Sequence, residues 1–338
     1  MASTNLIDTD AWSSRYRAAS LDATNGKLLV TNFRGTKQED DFSEPSNCAG
    51  FGRIRHFIRK RSIQWPNNPL PIDPACKALG LPRHDSISAQ VFQNAACNWR
   101  CWYCFVPFDL LTANRAHSDW LSAEQLVELY VRESNRPCII DLTGGQPDLV
   151  PEWVPWMMKE LTRRGLQSQV YLWSDDNLSN DYYWKYLSDA DQKVVREYPS
   201  YGRVCCFKGF DEESFSFNTR ATPSLFERQF ELMRRFVDTG MDVYAYVTLT
   251  TPRLEACDAG IPEFVDRLQA IHVNLPLRTV PLEIEAFTPV KERLDATNRQ
   301  ALENQHRAAE LWLKELDARY PKSLREAPIT DIKLHPHK

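Results

Sequence analysis

Short apolar runs alternate with amphipathic stretches from Ile87 to about residue 290 of this 338-residue chain. The apolar runs predict six strands, at Ile87–Phe92, Cys138–Thr143, Gln169–Trp173, Arg203–Phe207, Asp242–Thr250 and Leu282–Phe287. The stretches between them carry helix-start and helix-stop signals, which predict helices from Ser122, from Pro151 to Gly165, from Thr222 to Gly240 and from Pro262 to Ile271. Strands that alternate with helices indicate an α/β fold with parallel strands joined by right-handed crossovers.

Six such units fit either an open doubly wound sheet or an incomplete TIM-like barrel, and the pattern alone does not separate the two. In both architectures functional groups collect at the carboxyl ends of the strands. Residues 1–86 lack the strand–helix pattern and contain a turn-rich, extended stretch at 65–74, which predicts an N-terminal extension wrapped around the main domain. Residues 291–338 predict a helix, capped at Thr297–Gln300, and a tail.

Composition is ordinary for a globular protein, with 43% hydrophobic and 25% charged residues. The net charge of −4 argues against a nucleic-acid binder, and no apolar run approaches the length of a membrane span. The N-terminus lacks a basic start followed by an apolar stretch, so we expect a cytoplasmic protein with reduced thiols. One basic run, Arg53–Arg61, predicts either a solvated surface or a docking patch for an acidic substrate or protein partner.

Three of the nine cysteines, Cys97, Cys101 and Cys104, lie within eight positions directly after the first predicted strand. Thiolates this closely spaced can hold three corners of an iron–sulfur cluster. A structural zinc site normally needs a fourth ligand, and no second CxxC pair exists. Ordinary buried cysteines account for the scattered Cys48 and Cys76 but explain the close spacing poorly. The pattern therefore favours a cluster.

The CxxxCxxC spacing, with the aromatic Tyr103 before the third cysteine, resembles the signature of the radical S-adenosylmethionine (SAM) superfamily. Gly144-Gly145-Gln146-Pro147, one unit later, resembles that family's GGE(P) motif, with Gln146 in place of the usual Glu. The resemblance implies a partial (β/α)6 TIM-like barrel over residues 87–290. It also implies a [4Fe–4S] cluster whose fourth iron is chelated by the amino and carboxylate groups of SAM.

The same resemblance implies roles for residues at the other strand ends. The backbone of the Gly-Gly turn would receive the SAM ammonium, and Gln146 would keep an acceptor oxygen without the charge. A bulky residue at Gly145 is therefore expected to abolish SAM binding and to leave the cluster intact. The remaining candidates are Ser174, Asp175 and Asn177 for the ribose or carboxylate of SAM, Lys208 as the catalytic candidate beside the cluster, Thr248 in the substrate cavity, and Phe287 on the adenine.

Some of these residues also have plainer interpretations. The Ser174–Asn177 segment is equally typical of a polar loop that caps a helix, and a lysine such as Lys208 is often a surface residue. The stretch from Phe207 to Asp211 nevertheless resembles one found in activating enzymes of the superfamily, and this favours a role for Lys208.

The implied activity is reductive cleavage of SAM to a 5′-deoxyadenosyl radical, which abstracts hydrogen from a substrate. No cysteine follows Lys291, so we expect no C-terminal auxiliary-cluster domain and favour a small-molecule substrate. A glycyl-radical-activating or other protein- or peptide-modifying enzyme is the alternative. A third hypothesis is a redox sensor or scaffold that binds a cluster without turnover. An enzyme would also require an electron donor such as flavodoxin or ferredoxin.

Overall fold

The computed structural model describes residues 6–335. Its strands are β1 Leu21–Asp22, β2 Lys27–Thr31, β3 Gly52–Ile58, β4 Ser86–Phe92, β5 Ser118–Ser122, β6 Ile139–Leu142, β7 Tyr171–Asp176, β8 Tyr201–Phe207, β9 Val243–Thr248 and β10 Thr279–Leu282. Its helices are α1 Thr9–Ser20, α2 Ile72–Leu79, α3 Ala123–Arg132, α4 Trp153–Arg163, α5 Tyr182–Tyr186, α6 Asp189–Glu197, α7 Glu212–Thr219, α8 Leu225–Asp238, α9 Ala256–Ile271, α10 Thr288–Lys291, α11 Ala296–Arg319 and α12 Lys322–Arg325. No helix within 6–335 has both the length and the apolar character needed to cross a membrane.

The main sheet has seven strands in the order β10-β9-β8-β7-β6-β4-β3. Six of these strands, β4, β6, β7, β8, β9 and β10, pair in parallel. Each crossover between them carries at least one helix. The sheet curls into a half-barrel with helices on its outer side. The prediction of an α/β fold with a partial (β/α)6 barrel is therefore confirmed.

The seventh strand, β3, comes from the segment before Ile87 and was not predicted. It pairs antiparallel with β4, from Gly52 opposite Phe92 to Ile58 opposite Ser86. The basic run Arg53–Arg61 therefore begins in an edge strand of the half-barrel. Arg53 and Arg59 are both 7% exposed, so the prediction of a solvated basic surface is wrong at these two positions.

Several element boundaries differ from the prediction for physical reasons. β7 continues through Ser174 to Asp176, because these polar residues are buried in the sheet and do not form a surface loop. The last strand is β10 rather than Leu282–Phe287; its Pro281 weakens the strand signal but is tolerated at the edge of a sheet. α7 was missed although Asp211 and Ser214 form a capping box at its start.

Two layers of apolar packing hold the half-barrel together. The larger core lies between the sheet and its helices and contains Trp153, Phe207 and Phe264. A smaller core fills the amino-terminal end of the half-barrel interior, where Trp173 and Tyr244 pack at 5.8 Å between ring centroids. Because that end is filled with apolar side chains, the open space lies at the carboxyl ends of the strands.

Candidate active site

A cavity of about 630 Å³ lies inside the half-barrel at the carboxyl ends of its strands. A volume in this range is typical of a pocket for a small ligand or cofactor. The predicted site residues that line it are Cys97, Tyr103, Cys101, Cys104, Gly144, Gly145, Gln146, Asp175, Asn177, Lys208 and Phe287. The structure thus brings eleven of the fourteen candidates together around one cavity. Pro147, Ser174 and Thr248 are buried but do not line it.

The cysteine loop is fixed from outside by α1, which belongs to the N-terminal segment. Asn98 Nδ2 donates to Ser13 Oγ at 2.8 Å, and Trp99 Nε1 donates to Thr9 Oγ1 at 2.9 Å. Arg100 adds a bond from Nη2 to the Tyr16 hydroxyl at 3.0 Å. These bonds give part of residues 1–86 a structural role that the sequence did not reveal.

A second set of bonds comes from Arg100 within the loop, from α7 and from Arg293. Arg100 Nη1 donates to the carbonyl oxygens of Cys97 and Trp99, at 2.7 and 2.8 Å. Trp102 Nε1 donates to Asn218 Oδ1 of α7 at 2.9 Å, and Arg293 Nη1 donates to the Cys104 carbonyl at 2.7 Å. The backbone that carries the three thiols is therefore held by side chains from several elements, as a rigid ligand loop requires.

The three thiols line the same cavity; Cys97 is buried, and Cys101 and Cys104 are half-buried. Burial raises the pKa of Cys97, and it raises the pKa of Cys101 to about 12; in both cases the positive charge of Lys208 acts in the opposite direction. The negative charge of Cys104 would further raise the pKa of the other two thiols, since the three groups lie near one another. Thiols placed in this way ionise readily only when a metal centre takes up their charge.

The Gly-Gly turn is locked against the chain that leads into the cysteine loop. Gly144 and Gly145 adopt φ values of 79° and 64°, in the left-handed region that favours glycine. A Cβ atom on Gly145 would lie 2.3 Å from the carbonyl oxygen of Asn94 and 2.5 Å from that of Ala96. Close backbone approach therefore requires glycine at position 145, and the turn and the cysteine loop form one unit.

The side chain of Gln146, which replaces the usual Glu, is engaged within the protein. Its Nε2 donates to Asp176 Oδ1 at 2.8 Å, and its Oε1 accepts from the backbone N–H of Asn177 at 3.1 Å. Asp176 and Asp148 both accept from Arg203, the former at 3.1 Å. A neutral amide suits this position, because it can donate to a carboxylate that is already buried.

Gln146→Glu is expected to destabilise the fold rather than to improve the site. The substitution places a second carboxylate against buried Asp176, with loss of a bond to a charged group worth about 1.5–3 kcal/mol. Thermal unfolding should show a lower Tm, whereas the same change at exposed Gln64 should leave the Tm unchanged. An unchanged Tm for Gln146→Glu would show that the amide bond to Asp176 is unimportant.

The end of β7 sends alternate side chains to opposite faces of the sheet. Asp175 faces the cavity, where its Oδ2 accepts from Thr143 Oγ1 at 2.6 Å. Burial raises the pKa of Asp175, while the Arg55 charge and the bond to Thr143 lower it. Ser174 points away and bonds to the Tyr201 hydroxyl at 2.8 Å. Asn177 reaches the cysteine loop, donating through Nδ2 to Asn98 Oδ1 at 3.0 Å.

The remaining candidates lie around the cavity wall. The Tyr103 hydroxyl is 3.0 Å from Thr248 Oγ1, so Thr248 acts on the cavity only through Tyr103. Phe287 is 36% exposed and contacts the ring of Phe105 edge-on, with 6.3 Å between centroids. Lys208 lines the cavity directly after β8, and no carboxylate oxygen of residues 6–335 lies within 4.0 Å of its Nζ.

Several polar residues of the cavity were not among the candidates that the sequence indicated. Arg53, Arg55 and Cys206 line it, and Arg55 Nη1 donates to Asp141 Oδ2 at 3.1 Å. Burial raises the pKa of Asp141 to about 7, against the charges of Arg55 and Arg53. Period-two alternation in β3 and β8 could have identified them, because Cys206 shares a face with Lys208 and Arg53 shares one with Arg55.

The donor set fits the cluster that the sequence resemblance implies. Three thiols line one cavity beside a turn that requires glycine at position 145. No group of three or more His, Cys, Asp or Glu side chains in residues 6–335 is arranged to hold a single metal ion. In a [4Fe–4S] cluster each thiolate binds a different iron, so the three sulfurs need not converge on one point.

Fold and site together define a half-barrel α/β protein with a three-cysteine loop at the carboxyl ends of its parallel strands. No family model matches the chain, and no curated protein does.

Three solved structures of SuiB from Streptococcus suis have a similar fold. The complex with precursor peptide SuiA has 16% identity and a TM-score of 0.46, covering 68% of this chain and 46% of that one. The S-adenosylmethionine complex has 17% identity and a TM-score of 0.45, covering 68% and 47%. SuiB alone has 15% identity and a TM-score of 0.37, covering 54% and 36%. The chain thus spans less than half the length of these proteins.

Proposed function

We propose that this protein is a radical SAM enzyme. The observation that carries the proposal is the convergence of Cys97, Cys101 and Cys104 with the Gly144-Gly145 turn on one cavity at the carboxyl ends of a half-barrel. Held by the three thiols, a reduced [4Fe–4S] cluster would supply one electron for reductive cleavage of the SAM sulfonium bond. The chain itself would bind the cofactors, orient the substrate and exclude water.

The roles of the cavity residues follow from their positions. The three thiols would ligate the cluster, and the Gly-Gly backbone would accept from the SAM ammonium. Lys208 would pair with the SAM carboxylate, because it is the cation whose charge acts on both Cys97 and Cys101. Asp175 and Asn177 are proposed to bind the ribose, and Phe287 to pack on the adenine.

Two substrate classes fit the cavity. A small molecule is the first, because a cavity of about 630 Å³ that also holds SAM leaves room for a compact substrate. A peptide or protein segment is the second, and one of the SuiB structures contains a precursor peptide. The observation in this chain that favours a peptide is the loop between the cavity-lining residues Arg61 and Trp65, where Ile63 is 93% exposed. Either enzyme would need an electron donor such as flavodoxin or ferredoxin.

Electron paramagnetic resonance of the anaerobically reconstituted, reduced protein tests the proposal. SAM that binds the open iron changes the electronic environment of the cluster, so we expect the spectrum to change when SAM is added. 5′-Deoxyadenosine provides the matched control, because it lacks the amino and carboxylate groups of the SAM methionine part that would chelate the iron. A spectrum that does not change when SAM is added would contradict the proposal. It would favour a sensor or scaffold that holds a cluster without turnover.

A further inference from the structure

Most positive charges around the cavity have partners within the protein. Arg55 pairs with Asp141 at 3.1 Å, Arg59 with Asp73 at 2.5 Å, and Arg61 with Glu285 at 3.2 Å. Lys60 donates to the Trp65 carbonyl at 3.0 Å. These groups gain little from an external anion, because each is already neutralised or hydrogen-bonded.

Arg53 differs from all of them. Its side chain is 7% exposed and lines the cavity, yet no carboxylate oxygen of residues 6–335 lies within 4.0 Å of its guanidinium. Its Nε is fully buried and has no hydrogen-bond partner. A buried charge without a partner is costly, so such groups are typically paired when the protein performs its function.

The guanidinium is also held in place. It lies 5.4 Å from the ring centroid of Phe42 and 5.1 Å from that of Phe105, both within cation–π range. Its backbone is fixed because Arg53 is opposite Val91 in the β3–β4 pair. A guanidinium held by aromatic rings keeps its planar fork available for two parallel bonds to a carboxylate or phosphate.

The position of Arg53 separates it from the proposed SAM-binding cation. Lys208 follows β8, whereas Arg53 lies on β3, and β7, β6 and β4 stand between those two strands. Both cations interact with Asp175, but only Lys208 of the two is also close enough for its charge to act on the Cys97 and Cys101 thiols. We therefore assign the SAM carboxylate to Lys208, which leaves Arg53 available for a second anion.

We propose that Arg53 binds an anionic group of the substrate, a carboxylate or a phosphate, and so orients the substrate against the cofactors from the β3 wall of the cavity. The proposal rests on the radical SAM function and specifies the substrate's chemistry. It assigns the N-terminal segment a direct part in substrate recognition through β3.

Calorimetric titration with inorganic phosphate at constant ionic strength tests this assignment. The reconstituted protein is titrated with and without saturating SAM, and SAM is titrated separately. We expect Arg53→Gln to weaken phosphate binding at least about tenfold, the value of a lost bond to a charged group. Arg61→Gln, which removes a cation already paired at the cavity edge, should bind phosphate like the wild type, and SAM affinity should be equal in all three proteins.

Other outcomes would overturn the assignment. Phosphate binding that is absent from the wild type, or equal in Arg53→Gln, would contradict a built anion site. A parallel loss of SAM affinity in Arg53→Gln would show that Arg53 holds the SAM carboxylate instead. If Arg53→Gln does not fold, Arg53→Lys provides the test, because it keeps the charge but loses the fork; unchanged phosphate binding would then refute the proposal. A wild type that binds phosphate but not SAM would contradict the proposed function alone.

Discussion

Replacing Cys101 with alanine is expected to abolish cluster assembly and, with it, all SAM cleavage. Two thiolates cannot hold a [4Fe–4S] cluster at the geometry that three provide, and the change from thiol to methyl is small enough to leave the fold intact. Iron and sulfide content after anaerobic reconstitution, with circular dichroism as a check on folding, measures both effects. Cys97→Ala and Cys104→Ala should behave in the same way.

Three other cysteines provide matched controls for this prediction. Cys48 and Cys76 are buried away from the cavity, and their alanine variants should retain full iron content. Cys206 is the sharper control, because it lines the same cavity and is the one further cysteine among its lining residues. If Cys206→Ala also lost the cluster, the site would have four cysteine ligands and no open iron for SAM.

Replacing Gly145 with alanine is expected to disrupt the cysteine loop as well as SAM binding. The added Cβ would meet two backbone oxygens, of Asn94 and Ala96, at distances that no side-chain movement can relieve. Gln146 N–H also bonds to the Ala96 carbonyl at 2.7 Å, so displacement of the turn moves the chain next to Cys97. From this geometry we expect iron content to fall together with SAM affinity, whereas the sequence alone led us to expect an intact cluster.

Gly165→Ala separates the steric effect from backbone strain. Gly165 has a similar φ of 69°, but a Cβ there would meet no atom within 4 Å. Alanine at position 165 should therefore cost only about 1 kcal/mol of stability, from its left-handed conformation, and should leave the cluster unaffected. Equal losses in the two variants would mean that the contact with the cysteine loop is unimportant.

The cysteine loop and the Gly-Gly turn could be predicted because their spacing depends on local chemistry. The residues that line the interior of the half-barrel could not be predicted in this way. Many of them are polar, which reverses the usual pattern of apolar residues inside and polar residues outside. Arg53 and Arg55 in β3 look like solvated residues in the sequence, although they face a cavity. For the same reason Ser174–Asp176 was predicted as a loop although these residues belong to β7.

Contacts between residues far apart in the chain are the second reason why parts of the site could not be predicted from the sequence. Nothing local in α1 or α7 indicates that Ser13 accepts from the Asn98 amide, or that Thr9 and Asn218 accept from the two indoles of the cysteine loop. Gln146 looked like a weakened SAM ligand in the sequence because its partner, Asp176, lies thirty positions away. Such partners become visible only once the parallel strands place the ends of β6 and β7 side by side.

A search for 5′-deoxyadenosine shows directly whether this protein is a radical SAM enzyme. The protein is reconstituted anaerobically, reduced, and incubated with SAM, and the products are analysed by mass spectrometry. We predict that 5′-deoxyadenosine and methionine form in the wild type and in Cys48→Ala, and that neither exceeds background in Cys101→Ala. A wild type with a full cluster that leaves SAM intact under strong reduction would contradict a radical SAM enzyme.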